Sequence, residues 1–307
     1  MLWVIGVACA VVALGVLLWV WADAIEPRLF RIRRVSLCAA DLGLPAMRIL
    51  HITDTHLHGG DGAILSFLRD LAAREQFDLV CYTGDLVHND GGVPSLATVA
   101  GLFSPRLGSF AVLGGHDYAD IPSRSIARRL LAGPDPISSH PPNAIDGVIQ
   151  ALETQGVCLL QDGHERVRAP DGSELAIVGL GDTYVATPDV ASAWDGLSDQ
   201  VPVILVAHSP DVLPDVAGRG ARLALFGHTH GGQVRFPLIG ALVTRSNLPR
   251  RAARGTFRTD GTAFIVNAGL GQAPDLSIRF LCRPEVVIVE LADEGSPVAA
   301  LEEVPVG

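Results

Sequence analysis

Short apolar runs recur along the chain and alternate with segments of helical periodicity. The runs are Ile49–Ile52, Leu79–Thr83, Phe110–Leu113, Ala176–Leu180, Val203–Ala207, Leu223–Phe226, Phe264–Val266 and Val286–Leu291. Most are rich in Val, Ile and Leu, the composition of strands covered on both faces. Between them Ile64, Phe67, Leu68 and Leu71 recur at helical spacing, with Asp61 placed to cap. Ile145, Val148, Ile149 and Leu152 repeat the pattern, closed by Gly156. The alternation predicts an α/β domain over residues 47–292. The Pro-rich stretch 133–142 continues neither a helix nor a central strand, so residues 119–143 read as a surface insertion or cap. The tail, 293–307, is acidic and Pro-containing and is expected to be flexible.

The first apolar run is of another kind. Leu2 to Ala22 carries no charge across 21 residues. At about 1.5 Å per residue such a helix spans roughly 30 Å, the thickness of a bilayer's hydrocarbon core. Trp19 and Trp21 stand near its C-terminal end, where aromatic rings favour the interface. Residues 1–24 therefore read as a transmembrane anchor. A cleaved signal peptide is the competing reading, since Ala22-Asp23-Ala24 has a small-x-small form, but no basic residue stands before the run. Arg28, Arg31, Arg33 and Arg34 follow within a segment, 25–46, that reads as a basic juxtamembrane linker able to meet anionic headgroups. The positive-inside bias then places the domain on the cytoplasmic side of the inner membrane, with an extracytoplasmic placement as the alternative.

Composition narrows the field. Acidic residues outnumber basic ones, 33 against 23, for a net charge of −10. That excludes a generally basic nucleic-acid-coating protein, and no nucleic-acid partner is expected. The five cysteines are scattered with no CxxC, so neither a disulfide framework nor a zinc ribbon is indicated.

The chemistry collects behind the predicted strands. Asp54-Thr-His56 follows the first, Gly84-Asp85 the second and Gly114-Gly-His116-Asp117 the third. Later strands end in His208-Ser-Pro and Gly227-His228-Thr-His230-Gly-Gly. Loops at strand termini expose side chains while their backbones stay rigid. Five distant segments thus deliver carboxylates and imidazoles, a donor set without thiolate that suits Mn, Fe, Zn or Ni. One Asp bridging two cations would let them clamp a phosphate.

This ordered set, DTH…GD…GGHD…AHSPD…GHTHGGQ, resembles the calcineurin-like metallophosphoesterases. Within them it resembles the membrane-associated bacterial branch that includes phosphodiesterases and calcineurin-type UDP-2,3-diacylglucosamine pyrophosphatases. Ile25-Glu-Pro-Arg28, Gly269-Leu-Gly271, Ile278-Arg-Phe and Pro284-Glu285 look like that branch too, so the resemblance covers residues 20–291. It implies a four-layer αββα sandwich of two mixed sheets with a dinuclear centre at the strand ends. Carried over by position, Asp54, His56 and His230 hold one divalent metal, His208 and His228 the second, and Asp85 bridges. Manganese is the expected ion, with Fe, Zn or Ni as alternatives. His116 faces the substrate to stabilise charge or protonate the leaving oxygen, and Asp117 orients its ring.

The reaction implied is hydrolysis of a phosphodiester or pyrophosphate bond at a membrane, the specific candidate being a UDP-linked acyl glucosamine of lipid A synthesis. One position departs from the family motif GNHD, whose Asn gives an oxygen to the second metal. Gly115 stands there and offers none, which weakens the second site; Asn89 is a conceivable substitute. A metal-binding scaffold that lost the chemistry is therefore one alternative, and a phosphodiesterase of soluble diesters or nucleotides another. Among the arginines Arg245, Arg250, Arg251, Arg254 and Arg258, which follow the last motif, Arg250 and Arg254 are the expected phosphate contacts. In the insertion, Ile121, Ile126, Leu130 and Leu131 beside Arg124, Arg128 and Arg129 form a candidate lipid-contacting cap. His51, His58, His88, His140 and His164 fall outside the ligand set, though His58 and His88 lie near motifs.

Overall fold

A computed structural model of the chain describes residues 2–121, 137–169, 171–273, 276–292 and 301–304. Two mixed sheets carry the domain. The first has six strands: β1 (Arg31–Cys38), β2 (Met47–Ile52), β3 (Leu79–Thr83), β4 (Ser109–Val112), β5 (Val157–Leu159) and β14 (Glu285–Ala292). Their order is β1-β14-β2-β3-β4-β5, parallel except where β14 meets β2. The second has seven: β6 (Gly163–Arg168), β7 (Glu174–Leu180), β8 (Val203–Ala207), β9 (Ala221–Phe226), β12 (Gly255–Thr259), β13 (Thr262–Val266) and β15 (Glu302–Glu303). Their order is β15-β12-β13-β9-β8-β7-β6. A small ribbon, β10 (Arg235–Phe236) with β11 (Gly240–Ala241), stands apart.

Because successive strand residues point to opposite faces, each buried strand feeds two cores. Ile49, Leu79 and Cys81 pack with Ile177, Ile204, Val206 and Leu225 between the sheets. Leu50, Ile52, Val80 and Tyr82 face the other way, onto helices α2 (Gly62–Arg74), α3 (Val93–Ala100) and α4 (Ile145–Glu153). Leu205, Ala224 and Phe264 line the outer face of the second sheet. The result is the αββα sandwich expected from the resemblance. β2, β3, β4, β8 and β9 run so that their C-terminal ends meet at one edge, where Thr83 and His208 from different sheets are hydrogen-bonded.

Helix α1 (Leu2–Val20) buries none of its residues and is long and apolar enough to cross a membrane, with mean hydropathy 2.6. Its foot is tied to the domain. The buried Glu26 carboxylate accepts from the Leu281 and Cys282 amides and from Trp21 Nε1, and the Arg279 amide donates to the Ala22 carbonyl.

Several expectations are corrected. Segment 25–46 is not a linker: β1 pairs with β14 from Arg31 to Cys38. Three of its arginines meet protein carboxylates, Arg31 and Arg33 at 2.7 and 3.0 Å from Glu285 and Arg34 at 3.2 Å from Glu290, while Arg28 donates to the Ala24 carbonyl. Part of the tail is ordered too, since Glu302–Glu303 pair with β12 and Val304 is buried. Asp61 holds the N-cap position of α2 without capping; its carboxylate turns back to the amides of His58 and Gly59. The proposed cap lies mostly outside the described residues, including Arg124, Ile126, Arg128, Arg129, Leu130 and Leu131. Its two ends meet, with Ala119 bridged to Pro142.

Candidate metal centre

Backbone conformation marks five of the motif residues, among other positions. Asp54, His56, Asp85, His228 and His230 all have φ between +43° and +67°. For a residue with a side chain that region costs about 1–2 kcal/mol. Such strain persists only where the surroundings impose it. Here cross-strand bonds do so: Asp54 N to Gly84 O and His56 N to Asp85 O, each 3.0 Å. Two glycines permit the crowding. A Cβ on Gly227 would stand 2.3 Å from an Asp54 carboxylate oxygen, and one on Gly84 2.7 Å from His208 Nδ1.

The imidazoles converge in pairs. His208 Nδ1 lies 2.8 Å from the Thr83 carbonyl, and His228 Nε2 3.0 Å from the Arg245 carbonyl. A carbonyl only accepts, so these nitrogens donate. In the neutral rings the lone pairs are then on His208 Nε2 and His228 Nδ1, which face each other at 3.3 Å. In the second pair, His56 Nε2 and His230 Nε2 stand 3.1 Å apart, and both Nδ1 atoms are buried without a partner. Asp85 lies between the pairs. Its Oδ2 is 3.3 Å from His208 Nε2 and 3.7 Å from His56 Nε2, while Oδ1 accepts the His116 amide. Asp54 Oδ1 is 3.3 Å from His230 Nε2.

Two donors bound to one ion at about 2.1 Å stand about 3.0–3.4 Å apart. The observed spacings therefore fit cations held between these atoms. Asp54, His56, Asp85 and His230 place donors within 4.8 Å of one another, and His56, His88 and His116 form an overlapping group. Charge points the same way. Burial pushes Asp54 up to about 7, with Asp85 adding to the rise and His208 opposing it. Burial acts to lower His208, yet the Asp85 carboxylate holds its imidazolium well above the usual range. Two carboxylates this close in a dry site call for positive charge.

The profile of the calcineurin-like phosphoesterases matches residues 47–232. The chain belongs to that family. This calcineurin-like phosphoesterase is 27% identical over 314 residues to the UDP-2,3-diacylglucosamine pyrophosphatase LpxG of Chlamydia muridarum, covering 91% of this chain and 94% of that one. It is 26% identical over 259 residues to the uncharacterized metallophosphoesterase YkuE of Bacillus subtilis, covering 81% and 80%. Over 272 residues it is 25% identical to the phosphodiesterase YaeI of Escherichia coli, covering 87% and 90%.

Around the ligand candidates the phosphoesterase departs from the sequence reading at several points. Asp117 does not orient the His116 ring; its oxygens accept the amides of Leu86, Val87 and Gly114 and so hold two site loops together. His116 is buried with Nδ1 unpartnered, its ring edge-on to His56 with centroids 4.7 Å apart. Burial pushes His116 down to about 4; Asp85 opposes that fall and Arg245 adds to it. Asn89 is no substitute ligand, because its side chain accepts the Gly91 amide in a short turn.

Of the two arginines expected at phosphate, Arg254 is paired with buried Glu285 at 3.0 Å, and Arg250 is exposed in a 3-10 turn. Arg245 is the arginine whose charge reaches His116, His228 and His230, each of them lowered first by burial. Two further residues were outside the predicted set. His88 joins His56 and His116. Asp182, buried in the loop after β7, accepts the amides of Gly115 and Tyr184. A Cβ at Gly115 would lie 3.4 Å from its Oδ2, so a carboxylate stands beside the position that lacks the family Asn.

Proposed function

We propose that this phosphoesterase is a membrane-anchored hydrolase that uses two divalent cations to cleave a phosphodiester or pyrophosphate bond in a lipid-linked substrate. The convergence of His208 with His228 on one side of Asp85 and of His56 with His230 on the other carries this reading. Asp54, His56 and His230 would hold one ion, His208 and His228 the other, and Asp85 would serve both. When bound, two divalent cations, manganese for preference over Fe, Zn or Ni, would supply charge against the phosphate oxygens and lower the pKa of the attacking water. Thr83 and the Arg245 carbonyl fix the His208 and His228 rings so that the correct nitrogens face inward. Attack of water would form one P–O bond as another breaks, the proton that the water sheds passing to the departing oxygen or to solvent. His116, kept neutral by burial, would stabilise the developing charge by a hydrogen bond and not by giving up a proton. Arg245, in place of Arg250 and Arg254, contacts the phosphate.

The lipid-linked substrate is supported by the apolar helix and by the similarity to LpxG, whose name makes UDP-2,3-diacylglucosamine the specific candidate. Offered in mixed micelles with Mn²⁺, that compound should yield UMP and a lipid monophosphate. Turnover of a soluble diester with no UMP released would remove this substrate and leave the reaction class standing. Gly115 favours a second reading, a metal-binding scaffold without turnover, which any Asp85-dependent hydrolysis rules out.

A further inference from the structure

One stretch of the domain is rich in exposed apolar side chains, Phe236, Leu238, Ile239, Leu242 and Val243, and Leu281 is exposed beside the foot of α1. Three residues beyond Gly232 the chain leaves the metal centre as the β10–β11 ribbon, whose tip is Pro237-Leu238-Ile239. Leu238 is fully exposed at 108% and Ile239 at 61%. Leu238 also has φ +69°, a conformation that costs a residue with a side chain about 1–2 kcal/mol and costs glycine little. In water a leucine there gains nothing over glycine.

The ribbon is joined to the apolar helix through one short segment. The Arg235 amide donates to the Phe280 carbonyl and the Phe280 amide to the Gln233 carbonyl, each 2.9 Å, with the Phe236 and Phe280 rings 5.8 Å apart. On either side of Phe280, the Arg279 amide reaches Ala22 and the Leu281 amide reaches Glu26, also at 2.9 Å each. Leu281 is itself 52% exposed, as are Trp21 and Ile25 in large part at the helix foot. At about 3.3 Å per residue, the tip lies roughly 10 Å from this junction. A helix that crosses a bilayer brings its foot to the headgroup level. Charge agrees: Arg235 stands on the ribbon itself, and the sequence has no carboxylate between Asp215 and Asp260. An apolar tip beside a cation, with no carboxylate near it in sequence, suits an anionic membrane interface.

We propose that the β10–β11 ribbon, with Leu281, is a second membrane contact, inserting Leu238 and Ile239 into the headgroup–acyl boundary of the bilayer that α1 crosses. The ribbon follows His230 by a few residues, so this contact holds the rim of the metal centre against the lipid surface. It stands on the position of the ribbon and not on the identity of the substrate.

The test uses the full chain with Cys9→Ala and Cys158→Ala, the remaining cysteines being buried. Leu238→Cys, and separately Ile239→Cys, carries an environment-sensitive nitrobenzoxadiazole label. Asp199→Cys, exposed in the loop before β8, is the control. Each protein is reconstituted in vesicles of phosphatidylethanolamine and phosphatidylglycerol, with and without lipid bearing a shallow doxyl quencher. We expect labels at 238 and 239 to shift to the blue and lose emission to the quencher, and the label at 199 to do neither. Water-like emission at both tip positions overturns the proposal. So does a blue shift that the doxyl lipid leaves unquenched, because protein and not lipid would then cover the ribbon.

Discussion

Asp85 is the residue on which the centre turns, since one of its oxygens faces both imidazole pairs. Asp85→Asn should lower turnover by more than about 100-fold, the upper range seen when only an outer partner of a metal ligand is lost. Gly115→Asn tests the departure from the family motif. The new Cβ would come 2.8 Å from Ile137 Cδ1, a side-chain tip that can move, and 3.4 Å from Asp182. Metal-to-protein ratios after desalting should rise at limiting Mn²⁺; an unchanged ratio means that Asn adds no ligand. His208 gives a pH prediction. Its raised pKa reflects a proton on Nε2 held by Asp85, which an ion at that nitrogen must displace. Apparent affinity should therefore climb with pH, by up to about tenfold per unit, until the folded pKa is passed. By the same linkage the metal-free chain keeps the stabilisation from this raised pKa at low pH and loses it as pH rises through the folded value. A flat affinity between pH 6 and 8, about the span in which histidine charge ordinarily changes, would show that no proton is displaced. At this scale the six ligand candidates were legible because each follows an apolar run. Which arginine meets them was not. Arg245 takes a left-handed φ of +56° with its charge felt at His116 and His228, and Arg254 is captured by Glu285; neither fact is visible in local sequence.

Among the elements, β1 shows why a strand can be mistaken for a linker. Arg31 and Arg33 share a face with Val35 and Leu37, an alternation that looks unfavourable until Glu285 is placed beside them. That partner comes from the other end of the chain. Buried Glu285 also takes Arg254, so one carboxylate ties the first strand, the last long strand and the turn before β12. Glu285→Gln should cost about 3 kcal/mol in denaturant unfolding, the low end for stranding one side of a buried ion pair, because the arginines keep some hydration. A loss below about 1 kcal/mol would place the cluster with ordinary surface pairs. The edge strand β6 and the half-polar β12 escaped the reading for a simpler reason: each buries one face at most, so neither forms an apolar run. The central strands, covered on both faces, were the readable ones.

At the scale of the whole molecule, two sheets from distant parts of the chain close the centre, and ions bound there should act as part of the fold. Converging imidazoles and two carboxylates close together in a buried site favour the loaded state. At an ion concentration about 100-fold above Kd, linkage adds about 2.7 kcal/mol, so EDTA should lower Tm by several degrees in calorimetry. No shift would mean that the centre is equally content without metal. The architecture was legible as α/β from alternation alone, while the sandwich came from the motif resemblance, since strand order depends on pairings that no single run displays. The central claim is that the assembled centre hydrolyses phosphate esters. The most direct measurement is Mn²⁺-dependent hydrolysis of bis(p-nitrophenyl) phosphate by the full chain in detergent, beside Asp85→Asn. The account predicts turnover in the wild type that disappears in the variant and on adding EDTA. Equal rates in both proteins, at a metal content of two ions per wild-type chain, would contradict it.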